Sequence, residues 1–129
     1  MATTKREGFE EASGQVEESA VIDSLAAKGY NIVVIDICDM RDRRDLFKAF
    51  SEQLKFPDYF GNNWDAFYDC LTDLSWLSRN TTLIVIESYG SLHARDFGTE
   101  FLDILNDAHR YWRGKGIDFR TLLVYRELH

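Results

Sequence analysis

Apolar residues along this chain recur with two different periods, and the periods divide it into elements. Residues 1–16, MATTKREGFEEASGQV, follow neither: the stretch is polar, with Gly8, Gly14 and scattered Glu, and reads as a flexible tail. EESAVIDSLAAK, 17–28, spaces Val21, Leu25 and Ala26 for a helix, and Gly29 suits its end. YNIVVIDIC, 30–38, is β-branched and almost wholly apolar, as a strand buried on both faces should be. In 42–54, DRRDLFKAFSEQL, Leu46, Phe47, Phe50 and Leu54 form one stripe of an amphipathic helix, and Pro57 closes the region. Asn62 or Asn63 can cap the next helix, with Gly61 as a permissive turn before it. That helix places Trp64, Phe67, Cys70, Leu71 and Leu74 toward a core, Asp65, Asp69 and Asp73 on the far side, and Tyr68 between. TTLIVIE, 81–87, is a second buried strand, and SYGSLHARDFG reads as a turn with one short helix. TEFLDILNDAHRYW carries Phe101, Leu102, Leu105, Ala108 and Trp112 at helical spacing, with Thr99 as N-cap and Gly114 and Gly116 at its end. RTLLVYREL is the third strand.

Short apolar strands alternating with amphipathic helices predict an α/β fold, a parallel sheet of three strands under helical cover. The 129 residues fit a single domain over 17–129, with an extra N-terminal helix, after the tail. With 45% hydrophobic and 14% aromatic residues, the chain can build a core without disulfides or metal. Cys38 and Cys70 read as free, buried thiols. Neither belongs to a C-x-x-C pair, and His93, His109 and His129 read as surface residues, so no metal or cofactor is expected. There is no apolar run of membrane-spanning length and no secretory leader, which predicts a cytoplasmic protein.

Charge changes the picture. The net charge is −7, and residues 56–109 hold nine acids against Arg79 and Arg95, so the whole excess lies there. Such a field repels nucleic acid and attracts basic partners. Asp65, Asp69 and Asp73 recur every fourth residue without a neighbouring cation, and each like-charged pair costs a few tenths of a kcal/mol on a helix. Three readings are open. A charged stripe opposite an apolar one is what any surface helix shows, although an acid near the C-terminal end opposes the helix dipole. Two carboxylates one turn apart could serve a metal-dependent enzyme, but HExxH, G-x-S-x-G and a phosphate loop are all missing. Carboxylates on a rigid helix could instead fill sites where a partner's Arg and Lys hold phosphates, with Tyr59 and Phe60 as aromatic anchors.

The dense pattern Pro57, Tyr59, Gly61, Asn63, Asp65, Ala66, Asp69, Cys70, Leu71 resembles the central loop and helix of the barstar family of ribonuclease inhibitors. The resemblance extends more loosely from about Asn31 to about Leu128. It implies a small three-stranded parallel sheet packed by helices, in a three-layer fold, and a non-enzymatic inhibitor that plugs the basic active site of a secreted or toxin ribonuclease. By position, Asp69 is implied as the central acidic contact and Asp65 as its neighbour. Tyr59 is implied as the loop aromatic, Gly61 and Asn63 as shaping the loop, and Asp107 as a further acidic contact. Tyr68 stands where the family carries Trp, and Tyr111 where it carries another acid. A monomeric immunity-type protein with no membrane or direct nucleic-acid partner is expected. A binding module of the same fold whose partner is not a ribonuclease is the alternative.

Overall fold

A computed structural model describes residues 8–38, 40–56, 63–73, 81–87 and 98–125. In chain order the elements are β1 (Phe9–Ala12), α1 (Gln15–Ala27), β2 (Asn31–Asp36), α2 (Arg43–Leu54), α3 (Trp64–Leu71), β3 (Thr82–Glu87), α4 (Gly98–Arg113) and β4 (Phe119–Val124). All four strands are parallel, in the order β1-β4-β3-β2. The expected α/β class with parallel strands holds, but the sheet has four strands rather than three. The additional strand lies within the stretch read as a tail. Only Phe9 and Ala12 are apolar there, and Glu10 and Glu11 hide the pattern.

Alternation along the strands gives the sheet two different faces. On one face Ile35, Ile84, Ile86, Phe119 and Leu123 meet the buried stripes of α2, α3 and α4. On the other, Leu83, Val85, Leu122 and Val124 join Ala12 and Leu25, with Val21 and Ile22 of α1 packed against them. Among the described residues the sheet is therefore the middle of three layers, with α1 the helix on the second side. β3 and β4, the inner strands, are buried on both faces, Leu83 through Ile86 of β3 being fully enclosed. β2, expected to be buried on both faces, is instead an edge strand with Val34 40% exposed. Its apolar run reflects sheet packing on one side and partial cover on the other.

α2 starts where Asp42 accepts a hydrogen bond from the Asp45 amide at 3.2 Å. It ends at Lys55, whose left-handed backbone (φ 55°) returns its amide to the Ser51 carbonyl. α4 begins at Gly98, so Thr99 lies inside the helix rather than capping it. Among the described residues no helix is long and apolar enough to cross a membrane.

A polar chain ties β1, β4 and the start of β2 together on the α1 face. The Tyr30 hydroxyl donates to Asp118, Arg120 Nε donates to Asp118 at 2.8 Å, and Arg120 reaches Glu10 at 2.9 Å. Burial pushes the Asp118 carboxyl up, but the Tyr30 and Arg120 hydrogen bonds and the Arg120 charge outweigh it and hold the group below the usual carboxylate range.

Candidate functional site

α3 has only eight residues, too few to persist on propensity alone, so its ends and its buried face must hold it. Asn63 caps it, its Oδ1 accepting from the Ala66 amide at 2.8 Å. Asn63 is the capping residue of the two asparagines considered; Asn62 lies outside the described residues. At the other end Thr72 returns its amide and hydroxyl to the Tyr68 carbonyl, at 3.0 and 2.9 Å. The Leu71 carbonyl is taken by the Trp112 indole of α4 at 2.9 Å. These contacts satisfy acceptors that a helix terminus leaves over.

The inner face of α3 is aromatic. Phe67 is fully buried and meets Phe47, Phe50, Phe56, Trp64 and Phe101 with ring centroids 5.0–6.2 Å apart. Cys70 and Leu71 are buried beside it. Burial, followed by the charges of Asp69 and Asp73, pushes the Cys70 thiol up and keeps it protonated. Cys38 is also a free thiol but is exposed, contrary to the expectation that both would be buried.

The outer face carries Asp65 and Asp69, both exposed. Among the described residues, neither carboxylate has an ion pair or hydrogen bond. Asp73 does not extend this face: the helix ends at Leu71, and Asp73 follows the Thr72 cap. A strict four-residue repeat of acids is thus two helical positions and one residue beyond.

Asp107 comes from α4, whose rim runs beside α3. It is exposed, with no charge or hydrogen-bond partner for its carboxylate among the described residues. Tyr68, half-buried, sits where the helices meet. Burial first, then the charges of Asp107, Tyr111 and Asp69, push its phenol above the usual range. Tyr68, Asp69 and Asp107 are therefore brought into one neighbourhood, with Asp65 one turn before Asp69 on α3. Tyr59 and Gly61 lie outside the described residues, as do Leu74, residues 88–97 with His93, and His129.

Three residues of α4 were not read correctly or fully from the sequence. Spacing places Trp112 in the core stripe, and its indole also fixes the end of α3. Tyr111 adjoins Tyr68, stacks edge-on against Trp112 at 5.1 Å, and lies under the Lys115 ammonium at 5.3 Å. His109 is buried at 6% exposure, not at the surface, and its Nδ1 lies 2.8 Å from the Phe119 carbonyl. The spacing Leu102, Leu105, His109, Trp112 already placed His109 in the apolar stripe.

Residues 30–124 match the family model described as "Barstar (barnase inhibitor)". The chain is also similar to a protein of Bacillus subtilis (strain 168) that carries the name "Putative ribonuclease inhibitor YrdF". The two are 29% identical over 77 residues, which cover 59% of this chain and 82% of that protein. α2, α3, α4 and three of the four strands fall inside the family match; β1 and α1 precede it.

Proposed function

Because the chain belongs to the barstar family, we propose that it inhibits a barnase-type ribonuclease by seating α3 and the preceding aromatic loop in the enzyme's basic active-site cleft. The observation that carries this reading is the set of exposed carboxylates on Asp65, Asp69 and Asp107, free of internal ion pairs among the described residues and drawn from two braced helices. Such groups are set up to accept a partner's guanidinium or ammonium donors without first breaking an internal bond. Arg grips carboxylate with paired hydrogen bonds, as it grips phosphate, so the acids stand in for RNA phosphates. Asp69 is the central contact, Asp65 and Asp107 flank it, and Tyr68 supplies half-buried aromatic surface between them. Tyr59, Gly61 and Asn63 belong to the loop that enters with the helix, Asn63 shaping it through its cap. No chemistry is performed by this chain; inhibition is occlusion.

A second reading, a binding module for a partner other than a ribonuclease, is favoured by Tyr111. At that position the family resemblance implied an acid, and here an aromatic ring already carries the Lys115 cation. Titrating the purified chain into barnase-type ribonucleases and following RNA cleavage separates the two. Stoichiometric loss of cleavage is expected; none at micromolar chain would reject the first reading.

A further inference from the structure

The N-terminal unit of β1 and α1 lies outside the family match, yet its contacts lead to the helix that carries Asp107. We propose that β1 is a latch: its docking, through Gly8 against His109, positions α4 and thereby the Asp107 and Tyr111 rim against α3.

β1 closes the sheet beyond β4, in register from Phe9 opposite Thr121 to Ala12 opposite Val124. Its ends are fastened by the Thr121 amide donating to the Gly8 carbonyl at 2.9 Å and the Tyr125 amide donating to the Ala12 carbonyl at 2.8 Å. Glu10 adds the pair to Arg120. At Gly8 the backbone has φ +74° and presses on the imidazole of His109 so closely that a Cβ there would stand 2.3 Å from Nδ1. Only glycine tolerates both the angle and the approach.

His109 is a positioning residue because it touches two other elements at once. A carbonyl can only accept, so Nδ1–H donates to the Phe119 carbonyl at the start of β4, while the ring supports Gly8. The ring is enclosed, and a side chain held by a hydrogen bond on one side and backbone on the other fixes the roll of its helix. His109 lies two residues after Asp107 and three before Trp112, whose indole holds the last carbonyl of α3. A continuous line of contact therefore runs from Gly8 to His109, along α4 to Trp112, and into Leu71.

The full-length chain carrying Gly8→Ala is compared with the parent by amide hydrogen exchange, by exchange of the Trp112 indole N–H, and by titration of the Tyr68 phenol with carbon-13-labelled tyrosine. The expected result is lost protection at Thr121 and Tyr125 and Trp112 indole exchange faster by about tenfold, equivalent to roughly 1.4 kcal/mol of lost opening free energy. The Tyr68 phenol should fall toward its ordinary value as Asp107 and Tyr111 move away. Glu10→Gln, which loosens β1 without adding an atom at Gly8, should shift the same three signals in the same directions by less; it decides the matter if Gly8→Ala fails to fold. Loss of β1 protection with Trp112 and Tyr68 unchanged overturns the latch, as does unchanged β1 protection in both variants. These readouts need no ribonuclease, so they stand or fall independently of the proposed inhibition.

Discussion

Replacing Phe67 with alanine should test what holds the acidic helix in place. Phe67 is fully buried, and its five aromatic neighbours come from α2, the following Phe56, α3 itself and α4. None of these rings can close the gap alone, because each is also packed elsewhere in the same cluster. The loss therefore combines the transfer term with an unrelaxed cavity, about 3–5 kcal/mol for Phe→Ala. Edge-to-face contributions are part of that figure rather than additional to it. A domain of this size has about 5–15 kcal/mol in total, so the variant should fold but with a large part of its stability gone. At roughly 4 °C for each kcal/mol at this length, Tm should fall by roughly 12–20 °C. Thermal unfolding followed by circular dichroism measures it, with Phe67→Leu expected to lose about 1–2 kcal/mol. A Tm drop under about 4 °C for the alanine variant, equivalent to about 1 kcal/mol, would show that α3 is not anchored through this ring.

Asp69→Ala should weaken binding to a barnase-type ribonuclease by at least about 2 kcal/mol, a central hot-spot loss, while Asp73→Ala should lose under about 1 kcal/mol, as rim charges do. Calorimetric titration of both variants measures this, and equal losses would remove Asp69 from the centre. The rate of association should fall steeply as salt rises, because the acidic face attracts a basic cleft through water; stopped-flow rates independent of salt would contradict that attraction. Asp118 gives a pH test of the fold itself. Its carboxyl is held below the ordinary range when folded, so its contribution to stability is full above the unfolded value and disappears as pH falls through the folded one. Asp118→Asn should therefore be less stable in urea at neutral pH, and the gap should narrow on acidification; a constant gap would assign the effect to packing.

Much of the fold was legible because burial and period coincide. The stripe of α2 is enclosed, as are Phe101, Leu102, Leu105 and Ala108 of α4 and Phe67, Cys70 and Leu71 of α3, while Trp112 of the α4 stripe is part-buried. β1 was not legible because what holds it is distributed over the chain: Glu10 makes sense only opposite Arg120, and Gly8 only against His109. Periodicity reports a local face, whereas these partners are about a hundred residues apart. The same limit applies to the site. Spacing found Asp65 and Asp69 on one helical face, but it extended that face to Asp73, because a repeat of four does not show where the backbone stops turning. The meeting of Tyr68 with Asp107 and Tyr111 is a property of two packed helices, so the resemblance supplied Asp107 where composition and spacing could not.

The strand order has a consequence for how the chain is assembled. β4 is the last of the eight described elements along the sequence, yet it lies between β1 and β3. During synthesis, β1 emerges first and has no strand to pair with until nearly all the described chain exists. β2 and β3 can meet earlier, leaving one edge of β3 open in the meantime. Arrival of β4 then fills the gap from both sides at once, pairing with β3 and β1 and drawing Arg120 between Asp118 and Glu10. Pairing over such a separation is slow, and an open edge is adhesive while it lasts. The time taken to synthesise residues 88–118 is thus the least that the half-built sheet must wait with that edge open.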